Sequence, residues 1–402
     1  MKAGWPKRTL GDVCERVTVG HVGITSPYYR DSGVLFLRTQ NVGEKGLVLD
    51  DLKCVTSDFH SAQKKSAVRS GDILMSRVIT HTVHCALVPE GFPDANCANV
   101  VLVRPSKELC GEFLAYYIRS SDGQKHLLDR KTGSAQLVVN TKVVQTWPIP
   151  VPPISEQRRI VAILDEAFEA IAAARANAEQ NRQNARALFE SYLQSVFSQR
   201  GEGWVDSGKV LSSMCELIVD CEHKTAPTQD EGFPSIRTPN IGKGKLLLDD
   251  VKRVSAETYQ AWTRRAVPLP GDLIFAREAP AGNVAVVPDG VQPCLGQRTV
   301  LIRPKKEAFD SLFLTYLLLS PSMQEHLLSH SKGSTVQHIN MKDIRALRLG
   351  YIPPIREQRE LARRITDCSM YFERLESLYQ RKIAALDELK QSLLQQAFSG
   401  QL

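Results

Sequence analysis

Pro152-Pro153-Ile154-Ser155-Glu156-Gln157-Arg158 returns 201 residues later as Pro353-Pro354-Ile355-Arg356-Glu357-Gln358-Arg359. The residues after each copy decide the architecture. Behind the first copy come Ile160, Leu164, Ala167, Ile171, Ala174, Ala178, Asn181, Ala185, Leu188 and Tyr192, with gaps alternating 4 and 3. Behind the second come Leu361, Ile365, Cys368, Phe372, Leu375, Tyr379, Lys382, Leu386, Leu389 and Leu393 in the same rhythm. That is the heptad seam of a coiled coil, and no Gly or Pro interrupts residues 154–200. Two long helices are therefore expected, each a rod of roughly 60 Å at 1.5 Å per residue. Asn181 and Lys382 interrupt the seam at matching positions, so they are expected to meet near the crossing point and set register.

Working outward, the whole chain proves to be written twice. Arg38-Thr39-x-Asn41 recurs as Arg237-Thr238-x-Asn240, Gly71-Asp72 with Arg77 as Gly271-Asp272 with Arg277, and Arg104-Pro105 as Arg303-Pro304. His126-Leu127-Leu128 recurs as His326-Leu327-Leu328, and Asn140 as Asn340, with the offset held between 199 and 201. Ahead of each helix lies a mixed α/β pattern. Short β-rich runs at 34–38, 73–79, 85–89 and 99–105 are echoed at 235–237, 273–277, 284–288 and 299–304. Helical patterns at about 110–130 and 308–331 come next, then a Gly-Ser loop and a Pro-rich exit. The expected fold is two α/β (α+β) globular heads, 1–154 and 201–354, joined by helices 155–200 and 355–402. Consecutive homologous halves with short links favour a pseudo-twofold arrangement with the helices paired as an antiparallel coiled coil.

Composition narrows the class. Of the 402 residues 43% are hydrophobic, enough for a real core and too many for a disordered chain. No apolar run reaches the roughly 18–20 residues of a membrane span. Residues 1–17 lack the apolar stretch of a secretory signal, so a cytoplasmic location is expected. The nine scattered cysteines form no C-x-x-C pair and read as reduced, mostly buried thiols. The net charge of +7 is uneven: residues 1–154 hold 19 Lys/Arg against 14 Asp/Glu, and 201–354 hold 18 against 17. The excess in the first head hints at an acidic partner. The second head implies local clustering of charge or reliance on other subunits.

With its doubled order of head and motif-led helix, the chain resembles the specificity (S) subunit of type I restriction–modification systems. Gly71-Asp-Ile-Leu-x-Ser-Arg77, Gly271-Asp-Leu-Ile-x-Ala-Arg277 and the closing Ser392-Leu-Leu-Gln-Gln-Ala-Phe-Ser-Gly-Gln-Leu402 share in the likeness. The resemblance implies that each head is a target-recognition domain reading one half of a bipartite double-stranded DNA site. It implies that the helix pair sets the spacer and docks two methyltransferase (M) subunits and, in a full complex, two restriction (R) subunits. It implies no catalysis and no cofactor on this chain; S-adenosylmethionine belongs to M, and ATP with Mg2+ to R. A non-DNA alternative is a coiled-coil spacer presenting two protein-binding heads.

Phosphates take Arg, Lys and turn amides, whereas base edges take Arg, Asn, Gln, Ser, Thr and His on protruding loops. Residues identical in both halves are expected to shape the fold or hold phosphate, and residues that differ inside a matched loop to read sequence. The loop Lys131-Thr-Gly-Ser134-Ala-Gln136-Leu137 faces Lys332-Gly-Ser334-Thr335-Val-Gln337-His338 in this comparison. Lys131, Ser134, Lys332 and Ser334 are candidate contacts, although Gly-Ser also suits a plain turn, while Gln136, Thr335, Gln337 and His338 are candidate readers. Arg38, Thr39 and Asn41, with Arg237, Thr238 and Asn240, form either a backbone clamp or a structural turn with a left-handed Asn. Ser76, Arg77, Thr80 and His81 in the first half, and Arg277, Gln297 and Arg298 in the second, complete the candidates.

Other motifs are set aside. Neither Pro-Pro pair fits a methyltransferase motif, and no G-x-x-x-x-G-K-[ST] phosphate loop is present. Ser61-Ala-Gln-Lys64 lacks the partners of a serine β-lactamase site. His81-x-x-His84-Cys85 and Cys215-x5-Cys221-x-His223 lack a second clean pair of metal ligands.

Overall fold

The structure is a computed structural model that describes residues 5–79, 81–129, 137–199, 201, 204–206, 208–329 and 338–402. It divides into two compact units, Met1–Ala178 with Arg381–Leu402, and Glu179–Gln380. Each unit thus holds one head, part of the first long helix and part of the second.

In the first head, strands Cys14–Val19, Val100–Pro105, Ile73–Ser76 and Cys85–Leu87 lie side by side in that order, all antiparallel. Because side chains alternate along a strand, the sheet feeds two cores. Ile73, Met75, Val101 and Val103 face one; Leu74, Val100 and Leu102 face the other. Covering on both faces is why the central strands read as unbroken apolar runs. A second sheet begins beyond, with Val34–Leu37 parallel to Ala95–Cys97. The second head repeats this: Cys215–Asp220, Thr299–Pro304, Leu273–Ala276 and Val284–Val286 are neighbours, and Phe233–Ile236 runs parallel to Cys294–Leu295.

Each expected helical stretch after the sheet proves to be two helices, Gly111–Arg119 then Ser121–Asp129, and Ser311–Leu319 then Pro321–Ser329. The break falls on a buried serine. The Ser120 hydroxyl donates to the Tyr117 carbonyl (2.7 Å) and accepts from the Gly123 amide (3.2 Å), and Ser320 donates likewise to Leu317 (2.7 Å). Such local side-chain bonds compete with helix continuation.

The motif that opens each long helix is a fastening. Gln157 is fully buried, accepts from the Cys110 amide (2.7 Å) and donates to the carbonyls of Glu108 (2.9 Å) and Pro152 (2.8 Å). Gln358 repeats this with Asp310, Ala308 and Pro353, each at 3.0 Å. One amide therefore satisfies three backbone groups that would otherwise be buried unpaired.

The long helices run Ile154–Ser198 and Ile355–Ser399, 45 residues each. In the first unit Arg175 pairs with Asp387 (3.2 Å), and Arg159 donates to the Leu402 carbonyl (2.7 Å). In the second, Phe189 packs on Phe372 (centroids 5.8 Å apart) and Arg182 donates to Gln380 (3.3 Å). Rising numbers along one helix meet falling numbers along the other, so the pairing is antiparallel within each unit.

The seam runs through the expected residues only part of the way. Leu164, Ile171 and Ile365 are buried, and Tyr192, Phe372, Leu375, Leu386 and Leu393 are half-buried. Leu188, however, is 60% exposed, and Asn181 and Lys382 are exposed as well, so neither polar residue occupies the seam. Their places go to Arg182 with Phe189, half-buried, and to the buried Ile383. A helix of 3.6 residues per turn drifts about 20° per heptad from a strict 3.5 repeat, so over several heptads the inward face passes to the next residue. Beyond the seam, each head's core takes in the helix ends: Ile160, Leu164, Leu394 and Ala397 in the first unit, Ala362 in the second.

Candidate nucleic-acid interface

The strand leading to Arg77, Ile73–Ser76, is aimed by what precedes it. Gly71 (φ +81°) and Gly271 (φ +87°) take left-handed turns that a side chain would strain. The buried Asp72 carboxylate then accepts the Arg69 amide (2.8 Å) and both arms of Arg104 (2.7 Å each). Asp272 accepts Leu269 (2.8 Å) and Arg303 (2.8 and 2.7 Å) in the same way. Hydrogen bonds donated to these carboxylates hold both guanidinium groups above their ordinary pKa. The recurring Gly-Asp and Arg-Pro are thus one ion-paired scaffold, fork to fork.

Arg38-Thr39-x-Asn41 is a structural turn. The Arg38 amide donates to Asn41 Oδ1 (2.9 Å), and fully buried Asn41 donates on to the Val48 carbonyl (2.9 Å). Asn240 accepts from the Arg237 amide (3.1 Å) in the same role. Neither Asn is left-handed, because both sit inside a 3-10 turn; the left-handed residues are Asp51 (φ +51°) and Asp250 (φ +53°) further on. The two arginines then part company. Arg38 donates to the Asp51 carbonyl (2.7 Å) and pairs with its carboxylate (3.3 Å), while Arg237 is exposed and has no side-chain partner among the described residues. Lys53 and Arg38 hold the Asp51 carboxyl below its ordinary 3.8. Thr39 donates to the Asn99 carbonyl (3.0 Å); Thr238 is half-exposed.

Beyond the Gly-Asp strand the heads differ most. Arg77 is half-exposed, with no side-chain hydrogen bond among the described residues. Val78 and Ile79 pair with Val138 and Leu137 in a short two-stranded ladder. Arg277, 7% exposed, pairs with Asp220 (2.7 Å) and donates to the Ile339 carbonyl (3.0 Å) and to His338 Nε2 (2.9 Å). His338 Nδ1 reaches Glu278 (2.9 Å), the arrangement of a neutral ring protonated on Nδ1, and Glu278 also pairs with Arg298. The first head has Val19, Val78 and Val138 where the second has Asp220, Glu278 and His338.

Besides Asn41, two more expected contacts therefore lie inside. Arg277 is held by the ion network, and Ser76, 4% exposed, spends its hydroxyl on the His84 amide (2.9 Å). His81 and Arg298 are exposed, and Gln297 is half-exposed and donates to the His223 carbonyl (3.1 Å). Thr80, Lys131, Ser134, Gln136, Lys332, Ser334, Thr335 and Gln337 fall outside the described residues. Among the described residues no cluster of His, Cys, Asp or Glu is arranged to hold a metal ion. Burial pushes the Cys14, Cys97 and Cys215 thiols up to about 12.

Sequence reasoning passed over a basic pair that the structure brings beside these residues. Arg265 donates to the carbonyls of Asp220 (3.2 Å) and Cys221 (3.1 Å), and Arg264 pairs with Glu222 (3.3 Å). Arg264, Arg265, His223, Lys224 and Arg298 thus share one exposed, largely cationic edge of the second head. The first head has Lys64 and Lys65 at the same place, where Arg16 donates to the Lys64 carbonyl (3.3 Å). The signal was available: a basic dipeptide repeated at an offset of 200.

The fold defines a duplicated protein, with one α/β head and parts of two antiparallel helices in each unit, and with heads alike in scaffold but unlike at the strand ends. A family profile described as the type I restriction modification DNA specificity domain matches residues 2–180 and 221–382. The chain belongs to that family. It is 23% identical over 395 residues to the EcoKI specificity subunit of Escherichia coli K12, covering 93% of this chain and 84% of that one. Against the EcoBI specificity subunit of Escherichia coli it is 23% identical over 311 residues, 71% of this chain and 65% of that relative's length. The HsdS subunit from Thermoanaerobacter tengcongensis shares its fold, with a TM-score of 0.61 at 21% identity and coverage of 100% and 98%. A chain solved in work on assembly and conformational transition of the type I R-M system gives a TM-score of 0.77 at 22% identity, covering 100% and 99%.

Proposed function

We propose that this chain is the DNA-reading subunit of a type I restriction–modification complex, each head reading one half of an interrupted target. One observation carries the reading: the heads coincide where residues hold the scaffold and differ where polar side chains leave the strand ends. Asp72–Arg104 matches Asp272–Arg303, whereas Arg77 and Arg277, or Val138 and His338, stand in different surroundings. A protein with two unlike half-sites needs that combination.

The assigned roles rest on placement. Arg77 and His81 in the first head, and Arg298, Gln297 and Arg237 in the second, reach base edges or phosphates, and the segments 131–136 and 332–338 contribute further contacts. Lys64 and Lys65, and Arg264 and Arg265, hold phosphate. The chain has no chemistry of its own; methyltransferase subunits dock on it with S-adenosylmethionine, and restriction subunits where present use ATP and Mg2+. The helices, each about 67 Å long at 1.5 Å per residue over 45 residues, set the spacer.

A mobility-shift assay with the methyltransferase subunit at two salt concentrations tests this. The reading expects affinity to fall steeply with salt, as phosphate contacts require. Absence of salt-dependent DNA binding would leave the protein-binding scaffold in its place. Inserting whole helical turns into both long helices changes the spacer in sequenced methylation sites and leaves both half-sites alone; an unchanged spacer removes the ruler role.

A further inference from the structure

Among the described residues, non-glycine residues with positive φ come as two matched pairs: Asp51 with Asp250, and Asn99 (φ +55°) with Arg298 (φ +66°). The first pair is identical in the two heads, the second is not. Asn99 and Arg298 sit at the same point, the residue before the central strands Val100–Pro105 and Thr299–Pro304. The backbone around them is bonded alike: Gly20 donates to the Val100 carbonyl (2.9 Å), and Cys221 to that of Thr299 (3.2 Å). Both are exposed beside fully buried strand residues, so each side chain projects from a rigid edge.

The turn itself asks only for a residue tolerant of the left-handed region. Glycine serves best, because it has no Cβ to crowd the following carbonyl; asparagine serves well, because its short polar side chain can bond locally; arginine has neither advantage. A strained conformation persists where surrounding structure enforces it, and such positions concentrate at binding sites. Arg298 is kept there by Glu278, itself bonded to His338, and lies on the cationic edge of the second head. Asn99 has no side-chain hydrogen bond among the described residues. Both side chains are also suited to bidentate contacts with purines in the major groove, Asn with adenine and Arg with guanine.

We infer that Asn99 and Arg298 are equivalent base-reading residues, one per head, the first selecting adenine and the second guanine. This rests on the proposed DNA-reading function. The test enriches targets from randomised duplex DNA with the full chain bound to its methyltransferase subunit, comparing wild type with Arg298→Gly, Arg298→Asn, Asn99→Gly and Asn99→Arg. The glycine variants relieve the backbone, although Arg298→Gly also takes a partner from Glu278, which keeps its contact with His338; a cooperative thermal transition shows that each variant is folded while the reading side chain is lost. Arg298→Gly is expected to lose at least about fivefold discrimination at one guanine in one half-site, leaving the other half-site intact. Arg298→Asn shifts that preference toward adenine. Asn99→Gly loses discrimination at one adenine in the other half-site, and Asn99→Arg shifts that preference toward guanine. An unchanged motif in folded glycine variants overturns the inference and leaves the DNA-reading function standing. A wild-type complex that enriches no motif overturns that function, and the inference with it.

Discussion

Arg77 and Arg277 occupy the same point of the same motif, yet one is free among the described residues and the other is built into its head. The difference lies in what faces them. Val19 and Val138 offer Arg77 no partner, whereas Asp220 and His338 hold Arg277 at 2.7 and 2.9 Å. Duplication has preserved the frame and let the edge diverge. An arginine on the surface of one copy has become an internal strut in the other, and Arg298 is among the cations that the second head exposes instead. Shared sequence between the halves is therefore a sound guide to the frame and a poor guide to the contact surface.

The sharpest way to break this comparison is to truncate both arginines. Arg277→Ala takes the main partner from the Asp220 carboxylate, only 19% exposed and left with the exposed His223 (3.4 Å), and is expected to cost about 3 kcal/mol. Arg77→Ala stays within about 0.5 kcal/mol and shows instead in DNA affinity. Urea unfolding of the two variants measures both, and equal losses would refute the contrast. The glutamine fastenings probe the opposite case, where the halves agree. Gln157→Leu and Gln358→Leu each leave three backbone groups unpaired and should each lose about 2–3 kcal/mol. A marked inequality between them would show that the frame has diverged too.

Along the long helices, Ile383→Ala, at a residue 6% exposed, should cost about 2–3 kcal/mol, and Leu188→Ala, at one 60% exposed, under about 0.5. Thermal unfolding that ranks them the other way would restore the strict heptad seam. The smallest effect concerns Asp51, which Lys53 and Arg38 hold below its ordinary pKa of 3.8. A depressed carboxyl contributes stability above its unfolded pKa and loses it as pH falls through the folded one. The Tm advantage of wild type over Asp51→Asn should therefore shrink between about pH 5 and pH 3. An advantage that grows on acidification would contradict the pairing.

Much of the frame was legible from local pattern. The heptad rhythm, the strand runs around 73–79 and 99–105, and the doubled motifs mark elements whose period or turn chemistry lies within a few residues. The seam was legible over most of its length and misread at Asn181, Leu188, Lys382 and Leu389, because a constant repeat in sequence does not include the drift of a real helix. The contact surface was least legible. Arg38, Asn41, Ser76 and Arg277 look like exposed polar candidates, and burial and hydrogen bonding turn each of them inward. Asn99 and the basic pairs at 64–65 and 264–265 gave only the repeat itself as a signal.

By itself the sequence determined that this is a duplicated protein with two α/β heads and two long helices, since repetition and periodicity are properties of neighbours along a chain. Tertiary structure alone decided which arginine is strut and which is surface. Arg277 is held by side chains 57 and 61 positions away, and only folding brings such partners within hydrogen-bond range.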